Sequence, residues 1–565
     1  MKKILSNMII KHLDGFSEKE VELLLEIPPE SSMGDYSLPC FSLSQKLKKS
    51  PVIIANQLKS ELESDMDKGV ISDIQNLNGY LNIYLNKSSY IKHIFEKSYH
   101  LNMGISSESN GKVICMDYSS PNIAKNFHVG HLRTTVIGNS LYKIYQKLGY
   151  KVIRINHLGD WGTQFGKLIV AYKNWSSKDQ VEQYGIEELL RIYVLFNSEA
   201  ERKPELKEEA RYWFSKMEQG EEEALSIWEW FKEISLKEYE RVYHLLRVEF
   251  DYYTGESFYM DQVPALVTQL KEKGLLEESQ GANIVSLEKY HMPPCLITKS
   301  DGSSIYHSRD MAAVLYRKKE YAFEKCLYIT GLEQKLHFAQ VFKAIEEMGY
   351  DWTDGLVHIP YGLVSLDGEK LSTRTGNIIY AEDILKEAVY RSSKLIAQKN
   401  SSLQDKEQIA EMVGVGAVIF HDLFNQRIKN VNFSWDEVLS FEGASGPYVQ
   451  YTYARAKSIL RKGNVEKVNV KIDVDMLMDE VSYELVKELS KYEDKIEEAA
   501  SRYEPSVIAR YVWGLATAFN KFYHDCNILN AEKRVKEARL VLVDLTQKTI
   551  KDAMGLLGIQ CPEEM

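Results

Sequence analysis

Along this chain the spacing of apolar positions changes several times, and each change predicts a different element. Residues 113–116 are an unbroken apolar block, the pattern of a strand buried on both faces. Ser119, Ser120, Pro121 and Asn122 break it. Leu132, Val136, Leu141, Ile144 and Leu148 then recur near helical spacing, and Gly149 stands where such a helix stops. Residues 152–155, Val-Ile-Arg-Ile, predict a second strand. Strand, loop, helix and strand in this order predict a βαβ unit with parallel strands and a right-handed crossover. Ligands of such sheets sit outside the carboxyl ends of the strands, so the loop after residue 116 is the first place to look for chemistry.

Upstream, Ile4, Met8, Ile9 and Leu13 predict an opening helix. Residues 34–39 predict a turn leading into a helix that carries Leu43 and Leu47. Residues 70–74 and 80–84 predict strands joined by Asn76, Leu77, Asn78 and Gly79. The Gly/Ser/Asn-rich stretch 102–111 is the best linker. Downstream, residues 176–250 predict a helical insertion with a solvated charged face, and 284–287 and 296–299 predict strands with a turn at Asp301 and Gly302. Residues 304–310 end a strand and lead into a helix beginning near Met311, which Asp310 could simply cap. Residues 327–330 are a buried strand, followed by Gly331, Leu332, Glu333, Gln334 and a helix. Strands fill 356–366, and from about 381 the pattern is almost wholly helical. More than one parallel strand thus delivers polar residues at its carboxyl end, which marks a site better than any single residue.

Composition narrows the class. The 565 residues, 44% hydrophobic and 27% charged, fit a globular protein of about three or four domains. No apolar run approaches the roughly 20 residues that cross a bilayer. The apolar start is interrupted by Ser6, Asn7, Lys11 and His12, so no secretory leader is expected. Six scattered cysteines without a Cys-x-x-Cys pair argue against a zinc ribbon or disulfide frame and suit a reducing compartment. A net charge of −11 disfavours nonspecific nucleic-acid binding while leaving room for a local basic groove.

Candidate chemistry begins with His128, Val129, Gly130 and His131 at the start of the predicted helix. A helix N-terminus offers free N–H groups and partial positive charge. Gly130 lets a nucleotide approach the backbone, and both imidazoles can donate to phosphoryl oxygens. An isolated His-x-x-His is more often a cap and a packed ring; the surrounding βαβ pattern reverses that preference. Neither Gly-x-Gly-x-x-Gly nor a Walker loop occurs, since Gly166 and Lys167 are followed by Leu168. Residues 159–166 (Gly-Asp-Trp-Gly-Thr-Gln-Phe-Gly) suit either a tight turn under a ligand or a loop packed by its aromatics. Residues 367–376 place two cations and three hydroxyls between glycines, as in a loop that closes over phosphates or in a solvated surface loop. Aromatics interleaved with cations follow residue 446 and recur near Phe519. They can stack bases and grip phosphates, or be core and solvated face.

Taken together these motifs resemble a known family. His128-Val129-Gly130-His131 is similar to the HIGH signature of class I aminoacyl-tRNA synthetases, and Lys370-Leu371-Ser372-Thr373-Arg374 to their KMSKS loop. The stretches 117–125, 159–166, 446–451 and 556–559 resemble arginyl-tRNA synthetases, and the likeness runs from the first domain to the last residues. It implies an α/β Rossmann-type catalytic domain with a helical insertion, a small α+β N-terminal domain and an all-α C-terminal domain. The boundaries expected are 1–110 for a tRNA-elbow-binding domain, 111–380 for the catalytic domain with its insertion at about 176–250, 381–440 for a helical connection and 441–565 for an anticodon-binding domain.

The resemblance further implies activation of L-arginine by ATP, with Mg²⁺ accompanying the nucleotide, and transfer to the terminal adenosine of tRNA(Arg), first to its 2′-hydroxyl. Activation in this family typically needs bound tRNA. No protein-bound zinc or other metal and no membrane partner is expected, and a cytoplasmic monomer is. The catalytic positions are His128, His131, Lys125 and Lys370, and the ATP-binding ones His128, Gly130, His131, Lys370, Ser372 and Arg374. Arginine-binding positions are Asp117, Asn122, His131, Tyr306, Asp310 and Gln334. Asp310 and Tyr306 face the guanidinium, Gln334 and Asn122 the amino and carboxylate end, and Asp117 the amino group. Tyr448, Gln450, Tyr451, Arg455, Phe519, Asn520 and Tyr523 are the tRNA-binding candidates. Two departures stand out. Asp117 is one methylene shorter than the Glu of many relatives, and Thr373 replaces the lysine at the fourth KMSKS position, so Lys125 is expected to share the pyrophosphate charge with Lys370. Alternative readings are a HIGH-type nucleotidyltransferase acting on small molecules and a non-catalytic tRNA-binding relative; the long helical half speaks against the first, and intact His128, His131 and Lys370 against the second.

Overall fold

The structure is a computed structural model that describes residues 1–99, 109, 111–299, 305–366, 369–370, 380–399, 403–464 and 473–565. Of the expected linker at 102–111 only residues 109 and 111 are described, and the turn at Asp301 and Gly302 and Ser372, Thr373 and Arg374 lie outside the described residues.

Two compact units form. The first comprises Met1–Met103, Ile459–Ser490 and Ala518–Thr546. Its sheet has the order β1-β3-β2, all antiparallel, from β1 (Tyr36–Pro39), β2 (Ile71–Leu77) and β3 (Tyr80–Leu85). Asn78 and Gly79 both have positive φ, at 52° and 84°, the conformation that a tight two-residue hairpin needs. Residues 36–39, expected as a turn, are strand β1 instead. Pairing with β3 decides this, reinforced by a 2.8 Å hydrogen bond from the Ser37 hydroxyl to Asn82. Tertiary pairing overrides the local turn signal.

The second unit comprises Gly104–Ser458, Lys491–Thr517 and Gln547–Met565. Its central sheet joins β4 (Val113–Asp117), β5 (Lys151–Ile155), β9 (Lys325–Gly331) and β10 (Leu356–Tyr361) in the order β10-β9-β4-β5, every pair parallel. The predicted βαβ unit is therefore present, with helix Val129–Lys147 as its crossover. That helix is buried on more than its apolar stripe. Arg133, Thr134, Thr135, Asn139 and Ser140 are buried as well, and most have partners. Thr134 Oγ1 donates to the Ile329 carbonyl at 2.7 Å, Ser140 to the Leu556 carbonyl at 2.9 Å, and Arg133 Nη2 to the carbonyls of Arg427 and Lys429, both at 3.0 Å. Tyr118 lies where a Cβ on Gly138 would fall, 2.2 Å from its ring, so the helix and the loop after β4 touch without a side chain between them.

Between β5 and β9 lies the helical insertion, four helices spanning Lys178–Tyr184, Ile186–Arg202, Glu205–Glu218 and Glu222–Leu246. A small antiparallel sheet follows, β6 (Leu276–Ser279), β7 (Ala282–Val285) and β8 (Cys295–Thr298). Strand β6 carries no alternation because it is largely exposed. The helix expected near Met311 starts five residues earlier, at Tyr306, with Ser308 closing a bond to the Ile305 amide at 3.1 Å. Asp310 is thus inside the helix and not its cap. β11 (Val364–Leu366), β12 (Glu369–Lys370) and β13 (Val431–Phe433) form a third sheet, and β13 is the strand that the helical reading of the C-terminal half did not include.

Candidate active site

The loop from Asp117 to His128 leaves the carboxyl end of β4 in a conformation that few residues adopt. Ser119, Ser120 and Ala124 all have positive φ, at 70°, 45° and 58°. Each such non-glycine residue costs on the order of 1–3 kcal/mol and persists only where its surroundings hold it. Here the last insertion helix does so. Ser119 Oγ lies 2.7 Å from the Tyr243 hydroxyl, the Ala124 amide donates to Ser235 Oγ at 2.9 Å, and the Tyr239 hydroxyl lies 2.8 Å and 2.7 Å from the carbonyls of Asn122 and Lys125. The insertion is therefore a clamp as well as a solvated face. Its signal in the sequence is three hydroxyls, Ser235, Tyr239 and Tyr243, spaced four apart on one helix face.

The loop ends at the histidine pair. His128 caps the helix, its Nδ1 accepting from the Gly130 amide at 3.1 Å, and His131 Nδ1 accepts from the His128 amide at 3.3 Å. The two rings stack with centroids 3.9 Å apart. Since both Nδ1 atoms accept, each neutral ring carries its proton on Nε2 and presents it as a donor. Burial first, then neighbouring charge (Lys125 for His128; His128 and then Lys125 for His131), holds both imidazoles below their usual 6.5, and His131 furthest. Burial likewise lowers the Lys125 ammonium. The sign for pH follows. With folded values depressed, the neutral pair is complete above 6.5 and is lost only as pH falls through the depressed values. A pH–rate profile of ATP–pyrophosphate exchange is expected to stay flat down to pH 6.5, with its acid limb below that value.

The HIGH-like turn is also tied to the far side of the KMSKS-like segment. His128 and Tyr380 form an antiparallel bridge, and the Ala381 amide donates to the Phe127 carbonyl at 2.9 Å. Lys370 closes β12 opposite Ser365.

Among the arginine-binding candidates, Asp117 ends β4, Asn122 lies in the loop after it, Gln334 follows β9, and Tyr306 and Asp310 stand on helix Tyr306–Tyr321. Gly159, after β5, bridges Asn122 so closely that a Cβ there would lie 1.9 Å from Asn122 Oδ1. Gly159→Ala is expected to push the Asn122 amide aside and raise the KM for arginine at least tenfold in pyrophosphate exchange, with thermal stability falling by about 1–3 kcal/mol. Asp160, next in that loop, is fully buried and accepts from Lys232 Nζ at 2.7 Å and from the Ser257 amide and hydroxyl at 2.9 Å and 2.7 Å. Trp161 and Phe165 pack into the insertion's core, so this loop both supports Asn122 and is packed by its aromatics.

Asp310 is flanked by two imidazoles, His337 Nε2 at 2.6 Å from Oδ2 and His157 Nε2 at 3.6 Å from Oδ1. Burial alone would raise this carboxyl, but the His337 hydrogen bond and nearby positive charge outweigh it and hold the group below its ordinary 3.8. Asp117 is buried against Arg317, with 2.8 Å between Oδ2 and Nη1, and its Oδ1 accepts from Ser120 at 2.7 Å. Tyr306 is 57% exposed, and the Arg309 guanidinium lies 4.8 Å from its ring centre while pairing with Glu256 at 3.0 Å. Burial pushes the Glu256 carboxyl up to about 8 despite that partner.

Comparisons with known proteins agree along the whole chain. Residues 93–435 match the family model for tRNA synthetases class I (R), catalytic domain. Residues 1–85 match the arginyl tRNA synthetase N terminal domain, and residues 449–565 the DALR anticodon binding domain. The arginine–tRNA ligase of Alkaliphilus metalliredigens is 48% identical over 568 residues, covering 100% of this chain and 99% of that protein. That of Clostridioides difficile is 48% identical over 566 residues with the same coverage. The chain belongs to the arginyl-tRNA synthetase family. Solved members share its fold. Arginyl-tRNA synthetase of Thermus thermophilus aligns with a TM-score of 0.84 at 25% identity over 100% of both chains, and that of Plasmodium falciparum with 0.82 at 26% over 100% and 98%.

Arginyl-tRNA synthetase sequence signatures mark Asp117 and Asp310 but not Arg317, His157 and His337, which meet them. One signal was available. Tyr306, Asp310 and Arg317 are spaced four and seven residues apart, one face of a single helix. Two tRNA candidates need correcting. Gln450 is fully buried, its amide donating to the carbonyls of Met412 and Gln560 at 2.9 Å and 2.7 Å. Phe519 is fully buried too. Both side chains serve the core, and neither presents a surface to RNA. Tyr451 and Tyr523 are exposed, and the Arg455 guanidinium lies 4.9 Å from the Tyr451 ring centre.

Proposed function

We propose that this chain is an ATP-dependent arginine–tRNA ligase. The observation that carries this is its relationship to arginine–tRNA ligases, which covers 100% of this chain and 99% of the Alkaliphilus metalliredigens protein, beside its matches to the catalytic, N-terminal and anticodon-binding models. In this reading the arginine carboxylate attacks the α-phosphorus of ATP, arginyl-adenylate forms and pyrophosphate leaves. A hydroxyl of the terminal adenosine of tRNA(Arg) then attacks the activated carbonyl and AMP leaves. ATP and its Mg²⁺ enter as substrate.

His128 and His131 donate from Nε2 to oxygens of the α-phosphate as charge builds there. Asp310, with Tyr306 beside it, receives the guanidinium, a permanently charged fork that a carboxylate matches in shape. Gln334 and Asn122 hold the amino and carboxylate end, and Asp117 the amino group. Lysine offers a single point charge and would leave buried acceptors unpaired, a loss that reaches roughly 10⁴-fold at such sites. Lys125 and Lys370 share the pyrophosphate charge, with Ser372 and Arg374. If they do, Lys125→Ala and Lys370→Ala each slow adenylate formation; an unaffected Lys125→Ala beside an inactive Lys370→Ala would rule sharing out.

Tyr448, Tyr451, Arg455, Asn520 and Tyr523 remain the tRNA-facing candidates of the C-terminal helices, with residues 1–110 at the tRNA elbow. Among the described residues no helix is long and apolar enough to cross a membrane, and all six cysteines are unpaired. A monomer acting in the cytoplasm completes the proposal. The deciding experiment is arginine-dependent pyrophosphate exchange with and without tRNA, followed by charging of tRNA(Arg). Arginine-dependent exchange together with charging is the expected result. Absence of both overturns the reading.

A further inference from the structure

Beneath the candidate arginine site runs a chain of buried polar contacts. Arg317 is fully buried. One nitrogen, Nη1, meets Asp117 Oδ2 at 2.8 Å, and the other, Nη2, lies 3.3 Å from His157 Nδ1. Across the same imidazole, Nε2 faces Asp310 Oδ1 at 3.6 Å, while His337 takes Oδ2 at 2.6 Å. The Arg317 guanidinium lies 5.4 Å and 5.9 Å from the ring centres of Tyr328 and Tyr259, distances at which cation and ring attract. A resident guanidinium therefore links the two carboxylates assigned to opposite ends of the substrate.

His157 has a choice that settles what this link does. Its Nδ1 lies 3.1 Å from the Thr254 carbonyl and 3.3 Å from Arg317 Nη2. The carbonyl asks for a proton on Nδ1, and the guanidinium, which has only donors, asks for a lone pair. A proton on Nδ1 would set two N–H groups against each other where water cannot screen them, and would turn the Nε2 lone pair toward a carboxylate. A lone pair on Nδ1 removes both of these conflicts, leaves only the Thr254 carbonyl opposed to it, and puts the proton on Nε2, facing Asp310. With His337 on one carboxylate oxygen and His157 beside the other, each oxygen keeps a second lone pair for a fork-shaped cation.

We propose that Arg317 and His157 are positioning residues, a buried strut in which Arg317 selects the Nε2–H tautomer of His157 and His157 in turn orients the Asp310 carboxylate toward the substrate guanidinium. This rests on the reading that Asp310 receives that guanidinium.

The test combines a spectroscopic and a kinetic arm on the full chain. Long-range ¹⁵N–¹H correlation on ¹⁵N-histidine-labelled protein is expected to show His157 as the Nε2–H tautomer, and Arg317→Met to move it toward Nδ1–H. In pyrophosphate exchange with tRNA present, His157→Asn, whose amide falls near Nδ1, is expected to raise the arginine KM at least tenfold while the ATP KM stays within twofold. His157→Gln, whose amide reaches the Nε2 position, is expected to recover most of that loss. The strut is overturned if wild-type His157 carries its proton on Nδ1, a measurement that needs no variant, or if the Asn and Gln variants behave alike. Asp310→Asn separates the two ideas. If it raises the arginine KM and His157→Asn does not, the strut fails and the site reading stands. If Asp310→Asn leaves that KM unchanged, the reading fails and the strut with it.

Discussion

His131→Ala is expected to slow arginyl-adenylate formation about 10²–10³-fold, the usual consequence of removing one donor aimed at charge that develops in a transition state. The reason lies in the stacked pair. Each ring spends Nδ1 on a backbone amide of the same turn and so has a single proton to offer, on Nε2. Because these rings are neutral, their effect comes from placement, and a surface imidazole elsewhere cannot compensate. Single-turnover formation of adenylate with tRNA bound isolates the step. The fall should appear in the rate at saturating substrates far more than in either KM. The same change removes the acceptor for the His128 amide, so unfolding free energy should drop by about 1 kcal/mol; a much larger drop would mean that the ring is mainly structural.

Asp310→Asn is expected to lower kcat/KM for arginine by roughly 10²–10⁴-fold, the range that corresponds to about 3–5 kcal/mol for removing one member of a buried charged pair. The effect should fall on the arginine KM, with ATP affinity nearly unchanged. Stability gives an independent check. The folded carboxyl lies below its ordinary 3.8 because His337 outweighs burial. Its contribution is therefore present above the ordinary carboxylate range and lost as pH falls through the depressed value. The asparagine variant should accordingly lose stability at neutral pH and converge on the wild type in acid, as followed by urea unfolding at several pH values.

Much of this site is legible in the sequence because it is local. His128 and His131 belong to one helical turn, and the βαβ pattern around them sets their place at a strand's carboxyl end before any tertiary contact is considered. Asp310 was legible through its motif, but its surroundings were not. His157, Arg317 and His337 come from β5's loop, the same helix two turns on, and the helix after β9, and only the parallel pairing of β4 with β5 and β9 brings them together. The burial of Gln450 and Phe519 was hidden for a related reason. An aromatic or amide beside cations on a helix reads the same whether it faces solvent or a neighbouring element, and only packing decides. Strand β6 is not legible in the sequence because an exposed strand has no face to mark, and β1 is not because its partner lies more than forty residues away.

Arg133 has a bearing on where the chain can be divided. Its guanidinium is wholly enclosed and donates to peptide carbonyls at residues 427 and 429, while β11 pairs with β13. A fragment stopped at residue 380 would strand a permanent charge inside the protein and leave an edge strand bare. The histidine-bearing half is thus no autonomous cassette: anyone dissecting the molecule must carry the helices past residue 433 along with the nucleotide fold.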